Sequence, residues 1–158
     1  MSKGAVALAI GTLAILAIVA AGCGGGGGDS STDANAIPKA VFIKKADAVC
    51  SAGNKRMEVA FAHFLEESKN IKHPSKADYE ALVGKVVVPN VKREIKEIRA
   101  FGAPEGDEDR VEAILEALEE GVETAEDDPK AAVSSSEAIF GISSRLGKEY
   151  GLEVCGSR

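Results

Sequence analysis

Between Ile37 and Gly151, apolar residues recur at spacings of three and four in four successive blocks, a period that specifies amphipathic α-helices. The first block, Pro38 to Lys69, aligns Phe42, Ala46, Val49, Cys50, Gly53, Met57, Phe61 and Phe64 on one stripe. Pro74 then interrupts the pattern, and Ser75-Lys76-Ala77-Asp78 predicts a capping box at the start of a second helix. That helix runs to about Phe101 with Tyr79, Leu82, Val86, Val91, Ile95 and Ile98 inward. Pro89 lies inside it and predicts a kink or a break, because proline has no N–H and its ring crowds the preceding turn. Gly102-Ala103-Pro104 turns the chain, and Glu105, Asp107, Glu108 and Asp109 gather at the positive end of a third helix. Its buried face is Val111, Ile114, Leu115, Leu118, Val122 and Ala125. Asp128-Pro129 predicts the N-cap and first residue of a fourth helix, with Ala132, Ala138, Ile139, Ile142 and Leu146 inward and Gly151 at its end.

Residues 1–22 are of a different kind. Lys3 precedes an uncharged run from Ala5 to Ala21, and Ala20-Ala21-Gly22 leads directly into Cys23. This leader resembles the lipobox of bacterial lipoproteins. The resemblance implies that 1–22 is a signal peptide and that Cys23 is acylated and becomes the first residue of the mature chain. An uncleaved membrane anchor is the competing expectation, although the run is at the short edge of what spans ~30 Å of hydrocarbon. Either way the remainder of the chain lies outside the cytoplasm. Residues 23–36 follow as the lipidated cysteine and a Gly/Ser-rich linker, with a reach on the order of 20 Å if disordered. The glycines do not form a phosphate loop, since neither a strand before them nor Gly-Lys-Ser/Thr after them is present.

Three cysteines in an exported chain leave one odd thiol, and lipidation of Cys23 resolves it by leaving Cys50 and Cys155. An oxidising compartment favours a bridge between these two over free thiols or links to other chains. Such a bridge requires Cα atoms within about 7 Å. Closing a loop of about 105 residues stabilises a fold by up to ~4.7 kcal/mol in the chain-entropy account. Four helices with short connections predict an all-α, antiparallel up-down four-helix bundle over 37–158, with one disulfide. In that topology the start of the first helix and the end of the fourth share a pole, where both cysteines fall.

Ala46-Asp47-Ala48-Val49-Cys50, Ala103-Pro104-Glu105-Gly106-Asp107-Glu108 and Gly151-Leu152-Glu153-Val154-Cys155-Gly156 also resemble segments of small exported actinobacterial proteins of unknown function. This likeness implies a helical, disulfide-tied lipoprotein and supplies no activity.

Several chemistries are disfavoured. The net charge of −6 opposes nucleic acid as a partner, because binding it depends on clustered cations. Aromatic residues make up 4% with no Trp, so stacking platforms are scarce. His63 and His73 lack the Glu-x-x-His spacing of di-iron bundles, and a full zinc ligand set is hard to assemble. The acids Glu119, Glu120, Glu123, Glu126, Asp127 and Asp128 lack a calcium-loop pattern. Ser134-Ser135-Ser136 has no nucleophile frame, and Cys50 and Cys155 are not a Cys-x-x-Cys pair. No catalytic residue, metal or cofactor is therefore expected.

The expectation is a non-enzymatic lipoprotein, held to the membrane by its lipid and binding or scaffolding another envelope component, a protein among the candidates. The sequence leaves its oligomeric state open. The alternative is a carrier of a small apolar ligand lodged near Phe42, Phe61, Phe64 and Pro89. Lys69, Lys72, His73 and Lys76 form a candidate partner surface at the pole remote from the disulfide.

Overall fold

The computed structural model describes residues 37–68 and 72–157. The leader, Cys23, the linker and Lys69 lie outside the described residues. Helix α1 (Lys39–Glu67) starts after Pro38, whose carbonyl accepts the N–H groups of Val41 and Phe42 at 2.9 Å each. Its buried residues are Phe42, Ala46, Cys50 and Gly53, all in its first half. Helix α2 (Lys76–Leu82) begins with the predicted capping box. Ser75 Oγ accepts from the Asp78 N–H at 3.3 Å, and the Asp78 carboxylate accepts from the Ser75 N–H at 2.7 Å.

A π-helical turn (Val83–Val87) joins α2 to α3 (Val88–Arg99), and the helix is not broken at Pro89. In α-helical geometry the Pro89 ring would meet the carbonyl of Lys85. The wider turn, in which Val88 N–H donates to Val83 O, moves that carbonyl aside and keeps the rod continuous. The Asn90 side-chain amide donates to Val86 O at 2.7 Å and supports the same turn.

Helix α4 (Glu108–Asp127) presents the predicted apolar face to the core. The expected fourth helix is instead two, α5 (Pro129–Ser134) and α6 (Ser136–Tyr150), so the described residues form five continuous helical rods and a final 3-10 turn at Cys155–Ser157. Ser135 sits between them at φ −153° and ψ 88°, outside the helical region, and its hydroxyl accepts from the Ala138 N–H at 3.3 Å, so it ends one helix and caps the next. Serine hydroxyls compete with the helical ladder for backbone groups, and three in succession supply that competition. Restarting at Ser135 also resets the phase of the inward face. Phe140, Ser143, Ser144, Gly147 and Tyr150 are buried, whereas Ala138 and Ile142, expected inward, are exposed.

All described secondary structure is helical, with no strand among the described residues. Helix α1 packs on α3, α3 on α4, and α4 on α6. The last contact is close because Gly121 lacks a side chain: a Cβ there would lie 2.6 Å from Phe140 Cδ1. Gly151 ends α6 at φ 109°, where its N–H and that of Leu152 both reach Gly147 O. This left-handed cap turns the tail back toward α1.

There Cys50 and Cys155 form the disulfide, with Cα atoms 5.3 Å apart. Asp47, one turn before Cys50, receives the backbone N–H groups of Glu153, Val154 and Cys155 at 3.0, 2.9 and 3.1 Å. At the start of α1, Lys39 pairs with Asp107 at 3.1 Å, and the Tyr150 hydroxyl donates to the same carboxylate at 3.0 Å. The Tyr150 ring meets Phe42 edge-on at 6.0 Å and lies beneath the Lys39 ammonium at 4.1 Å. Three segments distant in sequence are thus joined around one aromatic ring.

Candidate functional site

The two halves of α1 differ in what they touch. Up to Gly53 the helix is embedded, but from 54 to 67 no residue is fully buried. That half extends about 20 Å. It carries Met57, Phe61, Phe64 and Leu65, and it leaves Val59 72% exposed. An apolar surface so left uncovered is the usual mark of an interaction site.

Where the two halves meet, Glu94 of α3 is completely buried against α1. Its carboxylate lies over Gly53, and a Cβ at that position would collide with it. Glycine is required there by the close approach of a side chain rather than by its own backbone angles. Arg56 stands one helical turn further along α1, and its charge helps hold the nearby Glu97 carboxyl below the ordinary carboxylate range, after the larger effect of the 2.7 Å hydrogen bond from Arg93. Nε and Nη2 of Arg56 are buried and hold no hydrogen bond among the described residues.

Beside this contact a cleft of about 560 Å³ opens between α1, the π turn and the α5–α6 break. Leu82, Val91, Ala132 and Phe140 form its floor, all of them core residues. Phe61 and Val133, 42% and 38% exposed, stand among its lining with Asn54, Glu58 and Ser136. The size and apolar lining suit a small ligand or the apolar side chains of a partner. A second groove of about 650 Å³ lines the other side of α1, with Val59, Ala60 and Phe64 above Val86 and with Lys55, Arg56 and Lys85 around them. Val86, in the π turn, belongs to both.

The residues singled out in the sequence fall as follows. Cys50 and Cys155 are joined, while Cys23 and Lys69 lie outside the described residues. Lys72, His73 and Lys76 are exposed, and Lys76 pairs with Glu80 at 3.4 Å. Of the phenylalanines expected around a ligand, Phe61 lines the cleft and Phe64 the second groove. Phe42 is 1% exposed in the core, packed on Tyr150, and does not line either. Pro89 is exposed, follows the π turn and lines neither groove.

The paired acids are neutralised by cations of the protein itself. Asp107 meets Lys39, Glu112 and Glu119 meet Arg99 at 2.7 Å each, and Glu126 meets Lys92 at 2.9 Å. No group of three or more potential metal ligands occurs among the described residues. The hydrogen bond from Lys39 holds the Asp107 carboxyl below its ordinary range, whereas burial, followed by the hydrogen bond to Asp107, pushes the Tyr150 phenol up to about 12.

Arg56 and Glu94 lie in no singled-out motif, and Asp47 was singled out only as part of Ala46–Cys50. Only the placement of Asp47 one turn before Cys50 hinted at a role near the bridge. Comparison with family models, with curated proteins and with solved structures finds no match for this chain.

Proposed function

We propose that this protein is a lipid-anchored, extracytoplasmic binding module of the cell envelope without enzymatic activity. The observation that carries the reading is the Cys50–Cys155 disulfide. It accounts for two of three cysteines and leaves Cys23, at the end of the apolar leader, as the remaining thiol to be acylated. A structural disulfide also belongs to an oxidising compartment, outside the cytoplasm.

In this reading the folded part is an up-down four-helix bundle whose last helix is interrupted at Ser135. The sequence of contacts from α1 to α3, α4 and α6 supports that arrangement, as does the meeting of Lys39, Asp107 and Tyr150. The binding surface is the half of α1 beyond Gly53 with the cleft beneath it, rather than the turn carrying Lys69, Lys72, His73 and Lys76. A photo-crosslinking residue at Phe61 or Val133 in intact cells should capture an envelope component, while the same residue at exposed Glu116 of α4 should not. Equal capture from all three positions contradicts the assignment.

A second reading is favoured by the cleft itself, whose floor reaches core residues. On that reading the protein carries a small apolar ligand. Organic extraction of protein purified from its own cells, followed by mass spectrometry, should then release one such molecule per chain, and its absence opposes the carrier.

A further inference from the structure

We infer that the second groove, between the outer half of α1 and the π turn, binds a single-chain amphiphile, an alkyl chain ending in an anionic oxygen head group. Its apolar lining, Val59, Ala60 and Phe64 over the buried Val86, suits an alkyl chain. Its polar lining is cationic. Lys55, Arg56 and Lys85 stand on it, against Glu67, which lies 3.6 Å from His63. In a chain of net charge −6, this clustering of cations beside an apolar trough is a departure from the background.

The cations are also available. Lys55 and Lys85 make no ion pair or side-chain hydrogen bond among the described residues, in contrast to Lys39, Lys76, Lys92, Arg93 and Arg99. Arg56 adds its positive charge to the same lining, although its Nε and Nη2 are turned away from solvent and only the rest of the guanidinium is open to the groove. The 560 Å³ cleft on the other side of α1 has Glu58 as its one charged lining residue and therefore repels an anionic head. The two sites accordingly select different chemistry. This inference stands apart from the lipid anchoring of Cys23 and from any occupant of the cleft.

The test is calorimetric titration of the full chain with dodecanoate and dodecyl phosphate below their micellar concentrations, beside dodecanol and inorganic phosphate. Saturable binding of one anionic amphiphile per chain is expected, with affinity at least about tenfold above that for dodecanol or phosphate. The double variant Lys55→Glu/Lys85→Glu replaces exposed side chains and should weaken binding by about tenfold or more. Val133→Arg, which obstructs the cleft, should leave it unchanged. Circular dichroism of each variant establishes that the helices persist. Equal affinity for dodecanol, equal affinity for inorganic phosphate, or loss of binding in Val133→Arg but not in the lysine variant each overturns the proposal.

Discussion

The carboxylate of Asp47 accepts the backbone N–H of Cys155 at 3.1 Å, one helical turn from the cysteine to which Cys155 is bonded. With the N–H groups of Glu153 and Val154 also directed at it, this side chain anchors the C-terminal tail independently of the covalent bridge. Hydrogen bonds to an ionised acceptor contribute more than neutral ones, roughly 1.5–3 kcal/mol each before overlap is considered. Asp47→Ala should therefore lower unfolding free energy by about 2–3 kcal/mol with the disulfide intact. Asp47→Asn keeps one acceptor oxygen and should lose about half as much. Denaturant unfolding under non-reducing conditions measures both, and an unchanged midpoint for Asp47→Ala would show the tail to be held by the bridge alone.

The close approach of Glu94 to Gly53 makes a second pair of variants informative. Gly53→Ala places a methyl group on the carboxylate and should cost about 2 kcal/mol, since the buried Glu94 side chain must leave the position it occupies against α1. At Gly84, in the π turn, an added Cβ meets nothing within 4 Å. Gly84→Ala should be neutral or stabilising by up to about 1 kcal/mol, as expected for removal of a helix-interior glycine. Similar losses from the two substitutions would mean that Glu94 does not occupy the position described.

Tyr150 supplies a pH dependence whose sign is fixed. Its phenol is raised from 10.0 to about 12, first by burial and then by donation to Asp107. The neutral form is thus favoured by folding, and its contribution is complete below the ordinary phenol value of about 10. It is lost as pH rises through about 12, because the unfolded chain releases the proton first. The lowered Asp107 acts in the opposite direction: its contribution is present above the ordinary 3.8 and is lost as pH falls through its depressed folded value. In a Tyr79→Phe chain, phenolate absorbance should rise with a midpoint near 12 while helicity persists. A midpoint at 10 would remove Tyr150 from the buried cluster.

Much of the helical plan was legible because its signals are local. Ser75 and Asp78 cap α2, Asp128 and Pro129 open α5, and Gly151 closes α6, each by chemistry confined to a few neighbouring residues. The break at Ser135 is local too, but a weak preference of three serines had to be weighed against a continuing apolar period. Glu94 was not legible. Within Val91 to Ile98 it resembles the solvent-facing Arg93 and Lys96, and its burial is decided by a glycine in another helix. The cleft is likewise a gap between three elements, and a gap has no residue pattern of its own. Phe61 was readable as apolar, but its place on an open surface depends on α1 outlasting the helices that cover it.

The most direct test of the central claim is the intact mass and N-terminal peptide of the protein extracted, unreduced, from the membranes of its own cells. A chain beginning at Cys23, heavier by its acyl groups and lacking free thiols at Cys50 and Cys155, is the predicted result. A chain that retains residues 1–22, or begins elsewhere with no acylated Cys23, would contradict the lipid-anchored assignment.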